Sequence, residues 1–252
     1  MRKIIPTLFF LIFDCLLASG QSTFSANRPG QVDNPDITPP GNFMIETGFQ
    51  YGKTGGVVCY LLPTASVRYG INSNIEISLN ADNIYQEENS LFGLTSNNIG
   101  SKIAICNEKG ALPKISFVTA LILPFAGLQS MRPDHAGAVI QLAGSHSVGT
   151  RATVYANAGA TWSGNTSYPV YNYVVSAYFS PVRRFWTFAE LYGFIPGVGE
   201  TSMASDFGIT WQAGDNFQLD LTAGVDLQDP GNNHFIQIGA AFQIVHRDKT
   251  AR

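Results

Sequence analysis

From Asn42 to Val245 the chain is written in segments of about ten to twelve residues that alternate apolar and polar side chains, separated by short runs of turn residues. A period of two is the side-chain spacing of a β-strand. Segment length constrains the fold further: strands of soluble domains average about 5–6 residues, whereas a tilted strand crossing a bilayer needs about 9–11. The candidates are 42–51, 58–69, 75–85, 97–106, 113–123, 137–148, 151–162, 169–179, 186–195, 204–213, 217–227 and 234–245. They number twelve, and bacterial barrels are built from an even number of strands. The expected fold is therefore all-β, a transmembrane antiparallel β-barrel of about twelve strands over 42–245.

The eleventh segment shows the pattern best. Phe217, Leu219, Leu221, Ala223, Val225 and Leu227 share one face, and Gln218, Asp220, Thr222, Gly224 and Asp226 share the other. In the third, Ile75, Ile77, Leu79, Ala81 and Tyr85 oppose Glu76, Ser78, Asn80 and Asp82. The sixth and eighth alternate less cleanly. Pro63 falls inside the second segment, where a missing amide predicts a bulge.

Composition agrees with a lipid-facing surface. Charged residues make up 13% of the chain, against about 25% in ordinary soluble domains, and aromatic residues reach 12%. A formal net charge of −3 without a basic cluster argues against nucleic acid as a partner. Cys59 and Cys106 have neither a disulfide framework nor a metal-ligand spacing, and no cofactor is implied.

Ahead of the barrel, Arg2 and Lys3 precede the apolar run 4–17 and the small residues Ala18, Ser19 and Gly20, as in a secretory signal peptide, here 1–20. The segment 21–41 is polar and proline-rich, and 246–252 is a polar tail. Connections after even-numbered segments are mostly tight, and those at 86–96, 124–136 and 196–203 are longer. Outer-membrane barrels keep short turns in the periplasm and long loops outside, so both termini are expected to be periplasmic. Tyr51, Tyr85, Trp162, Tyr171 and Tyr173 would mark the outer interface, and Phe43, Tyr69, Phe179 and Trp211 the inner one. The expected partners are the lipid bilayer, the barrel assembly machinery and a small-molecule cargo.

With the apolar face outward, the inner face holds Glu46, Glu76, Asp82, Glu190, Asp206, Asp220 and Asp226 against Arg68, Lys102 and Arg151. An acidic interior fits an ion-selective pathway and equally a salt-bridged, packed lumen, because a charge facing lipid is costly in either case. If 70–74 forms a turn, Arg68 stands directly opposite Glu76. No catalytic or metal-binding set emerges. Alternation sets His146 on the face opposite Ser145 and Ser147, and His135, His234 and His246 lie in or beside loops.

The stretch from Ala26 to Phe49 resembles the N-terminal motif of the outer-membrane transporter family named for the MetA pathway of phenol degradation. In that family an Arg-Pro pair precedes a Pro-Pro-Gly turn and a strand of the type Glu-x-Gly-Phe. The matching residues are Arg28, Pro29, Pro39, Pro40, Gly41, Glu46, Gly48 and Phe49, while Asn27 stands where members often carry Asp. The resemblance implies an outer-membrane barrel and a channel for hydrophobic or aromatic compounds. A non-conducting structural or surface-interaction barrel is the second expectation and a lipid-modifying enzyme the third. Segment 21–41 has two open readings: a plug that brings Arg28 to the acidic interior, or a disordered leader.

Overall fold

The computed structural model describes residues 24–88 and 90–246, so the expected signal peptide 1–20 and the tail residues 247–252 lie outside the described residues. Twelve strands follow one another: β1 (Phe43–Thr54), β2 (Val57–Asn72), β3 (Ile75–Gln86), β4 (Leu91–Cys106), β5 (Lys114–Ile122), β6 (Gly137–Val148), β7 (Ala152–Trp162), β8 (Val170–Val182), β9 (Phe185–Pro196), β10 (Ser202–Gly214), β11 (Phe217–Asp226) and β12 (His234–Ile244). Each pairs antiparallel with its chain neighbours, and β1 pairs with β12, which closes the barrel. Closure gives every strand two hydrogen-bonded partners and leaves no sheet edge, the condition for strands to exist in lipid.

Alternation sorts side chains between two solvents. Leu79, Ile99, Phe207 and Ile238 point outward and are exposed, whereas Glu46, Arg68, Glu76, Lys102, Glu190, Asp206 and Asp220 point inward and are buried. A polar interior beneath an apolar outer surface is the reverse of a soluble domain, and it suits a barrel solvated by hydrocarbon. Aromatic rings gather toward both ends of the wall: Phe43 meets Tyr69 at 4.7 Å and Phe185 stacks on Trp211 at one end, and Tyr60 lies between Tyr51 and Tyr85 at the other.

Several boundaries differ from expectation. Strands β3 and β4 run on to Gln86 and back from Leu91, so 86–96 belongs to a long hairpin and is not a long loop. Continued backbone pairing past the expected strand ends is the reason. Likewise β9 and β10 shorten the connection 196–203 to 197–201. Pro63 does interrupt the pairing of β2 with β3, which shifts register between Leu61 and Thr64. The β2–β3 turn occupies 73–74, and a second shift falls between Gly70 and Asn72. Arg68 consequently stands opposite Ser78, and Glu76 opposite Gly70.

Candidate functional site

Residues 24–41 run inside the barrel before the chain turns into β1. The exit is fixed at Pro39-Pro40-Gly41: the Gly41 amide donates to the Gly70 carbonyl at 2.8 Å, and the Asn42 amide donates to Pro39 at 3.0 Å. Gly41 has φ = 75°, a left-handed conformation that a side chain disfavours. On β2, a Cβ at Gly70 would fall 2.1 Å from the Thr38 carbonyl oxygen, so the bare backbone lets the segment lie against the wall.

The segment is too polar to hold itself by apolar burial. Its apolar contacts are two small clusters, Phe24 with Met44 and Ala241, and Val32 with Val174 and Tyr192. Its backbone instead bonds to wall side chains around the barrel. The amides of Asn27, Gln31 and Thr38 donate to Glu46, Glu190 and Glu76 at 2.9, 2.6 and 2.6 Å. The carbonyls of Asn34 and Pro35 accept from Lys102 and Ser116 at 2.7 and 2.6 Å. Gln141 donates to the Asp33 carboxylate, Asn157 to the Asp33 carbonyl, and Gln218 and Gln237 to the carbonyls of Arg28 and Pro29. Buried peptide groups need such partners, and here the wall supplies them.

Three charge clusters underlie these contacts. In the first, Arg68 bridges Glu46 at 2.7 Å and Glu76 at 3.2 Å, and Lys102 approaches Glu76 at 3.4 Å. Arg68 and Glu76 meet as diagonal neighbours across the β2–β3 pair, since register denies them the facing position. In the second, Arg28 pairs with Asp220 at 3.2 Å and donates to Thr64 at 3.3 Å. In the third, Glu190 and Asp206 face each other across β9 and β10. One Glu190 oxygen receives the Gln31 amide, but its other oxygen and both oxygens of Asp206 are buried without a hydrogen-bond partner among the described residues.

Of the remaining candidates, Asp82 borders the Arg28 cluster, and Asp226 and Arg151 lie away from all three. Asp82 is half-buried opposite Thr64. Asp226 ends β11 and accepts the amides of Gln228 and Asp229, both at 2.8 Å, so it caps the loop 227–233. Arg151 falls in the turn 149–151 instead of the seventh strand, because β7 begins at Ala152.

Sequence reasoning passed over Lys114, which forms an ion pair with Asp36 of the segment. It occupies the same face of β5 as Ser116, so period two was enough to find it. Burial by itself would push the Asp36 carboxyl up, but the Lys114 ammonium and the Ser25 hydroxyl hold it below its ordinary value. In the connection 107–113, the Ser147 amide holds the Glu108 carboxyl below the usual range. A cavity of about 150 Å3 remains between segment residues 27–33 and the wall at Glu46 and Gln237, and another of about 370 Å3 lies in the loop 123–136 beside Phe125 and Arg132.

This architecture recurs in solved barrels. An outer membrane channel from Pseudomonas putida F1 superposes with a TM-score of 0.64 at 11% identity, covering 86% of this chain and 99% of the channel. The NanC porin gives a TM-score of 0.58 at 11% identity, over 80% of this chain and 100% of the porin. The KdgM porin gives 0.57 at 8% identity, over 80% and 99%. At these identities the likeness is one of fold. No curated protein matches the sequence. A family model described as "Putative MetA-pathway of phenol degradation" matches residues 26–244, which takes in most of the internal segment and ends with β12. The chain, a closed twelve-stranded barrel with its N-terminal segment inside, belongs to that family.

Proposed function

We propose that the protein is an outer-membrane channel for small molecules whose lumen is closed by residues 24–41, with both chain ends on the periplasmic side. One observation carries the proposal: the segment bonds to wall residues on ten strands, β1–β7, β9, β11 and β12. Most of these bonds are polar and lie over a polar wall, so water can replace them if the segment moves, at a net cost of about 0.5–1.5 kcal/mol per bond. An apolar seal would not be exchangeable in this way. The cargo class that family membership favours is hydrophobic or aromatic compounds, and the cavity beside Phe125 and Arg132 offers such compounds a first contact at the loop end.

With the segment displaced, the wall would present Glu46, Glu76, Asp82, Glu190, Asp206 and Asp220 against Arg68, Lys102 and Lys114. Carboxylates lining a pore favour cations. Planar-bilayer recording on the full chain and on a chain lacking 24–41 tests this. The expected outcome is low conductance in the former and cation-preferring current in the latter, with the preference reduced by Asp82→Asn and Asp206→Asn together. Absence of current in both would leave a non-conducting barrel, the second reading, which the filled interior favours.

A further inference from the structure

The guanidinium of Arg28 occupies a recess that the wall shapes for it. Gly48 on β1 and Gly239 on β12 stand opposite each other on the inner face. A Cβ at Gly239 would lie 2.2 Å from Nε and Nη2 of Arg28, and a Cβ at Gly48 would lie 2.6 Å from Nη2. At both positions the three nearest atoms are those of this one guanidinium. Glycine inside a strand weakens it and marks a place where something approaches the backbone closely. Beside the glycines, Asp220 faces Gly239 across the β11–β12 pair. Its two oxygens accept from Nε at 3.3 Å and from Nη2 at 3.2 Å, a forked contact from a side chain that is 0% exposed. Thr64 accepts from Nη1 at 3.3 Å.

The recess thus has a flat floor of bare backbone, a carboxylate set for two parallel donors and a hydroxyl for a third. A planar fork of N–H donors satisfies all three features, whereas a compact ammonium group cannot lie flat or donate in parallel. We infer that the recess is a guanidinium-binding site of the barrel wall, filled in cis by Arg28, and that it takes a free alkylguanidinium when Arg28 is absent. The site stands on wall geometry alone. Its consequence rests on the proposed channel: a guanidinium compound in the lumen competes with Arg28 and loosens the closing segment.

The test uses the full chain in detergent micelles, with Arg28→Ala to empty the recess, and ethylguanidinium and ethylammonium as probes. Calorimetry and thermal unfolding should show saturable binding of ethylguanidinium to Arg28→Ala, at least about tenfold tighter than ethylammonium, the ratio that 1.4 kcal/mol of fork geometry supplies. Wild type, with the recess full, should bind at least about tenfold more weakly by the same measure. Binding should vanish in Arg28→Ala/Asp220→Asn and Arg28→Ala/Gly239→Ala. Equal binding of the two probes, or binding that survives both second-site changes, overturns the site.

If Arg28→Ala does not fold, Gly239→Ala in the otherwise native chain is the second variant. Its added methyl should expel Arg28 and expose residues 24–41 to protease, while Gly144→Ala, whose Cβ would meet nothing closer than 3.5 Å, should leave them protected. Equal protection in both overturns the site. Bilayer recording separates this inference from the channel proposal: guanidinium binding without current removes the channel, and current without guanidinium binding removes the recess.

Discussion

Arg68 ties together three groups in the lumen. It is 2% exposed, touches two carboxylates and also donates to the Ser25 carbonyl of the segment at 2.8 Å. Removing one member of a buried charge network leaves the others uncompensated, at a cost of about 3–5 kcal/mol. Arg68→Met should therefore lower the urea midpoint of the lipid-refolded barrel, followed by tryptophan fluorescence, and adding Glu46→Gln, which leaves Glu76 balanced by Lys102, should restore most of the loss. An unchanged midpoint in the single variant would mean that water reaches these groups. At this scale the sequence was half legible. Alternation assigned Arg68, Glu46 and Glu76 to one face, but partner identity depends on register. Register depended in turn on shifts near Gly70 and Pro63 that no local pattern specifies in advance. Asp206 has its opposite neighbour in Glu190 for the same reason, a pairing that appears only when β9 and β10 are aligned.

Individual strands were the most legible level, because period two and membrane-scale length both follow from lipid outside and polar groups inside. What alternation lacks is an end signal. Strand β4 begins at Leu91, ahead of the expected 97, because Leu91, Phe92, Gly93 and Leu94 find backbone partners on β3. The division between faces can be tested near the middle of β12, where Ile238 is 56% exposed on the outside and Gln237 is 7% exposed beneath the segment. Ile238→Arg should destabilise the barrel by about 2–4 kcal/mol, the cost of a base facing midplane lipid. It should do so with or without residues 24–41. Gln237→Arg should be harmful only while the segment is present, since Gln237 donates to the Pro29 carbonyl. Assembly into liposomes, scored by resistance of the folded band to heating, distinguishes the two, and identical behaviour in both backgrounds would contradict the assignment of faces.

For the whole molecule, the strand count, closure and family membership were within reach of sequence, and the path of residues 24–41 was not. A polar, proline-rich stretch carries no periodicity, and its order comes from side chains distant in the chain together with bonds inside the segment such as Ser25 to Asp36 and Asn27 to Asp33. Orientation rests on loop asymmetry and can be measured. In a background lacking Cys59 and Cys106, Glu200→Cys and Gly231→Cys should react with an impermeant maleimide on intact cells, and Ser73→Cys only after permeabilisation. The opposite pattern would invert the topology. The seat of Arg28 has one more consequence. Its floor is contributed by the first strand and the last, across the seam where the barrel closes. A barrel still open at that seam has no seat to offer. Correct closure is therefore a precondition for seating Arg28, and the seated arginine, bonded to Asp220 on β11 and Thr64 on β2, then ties together the strands on either side of the seam.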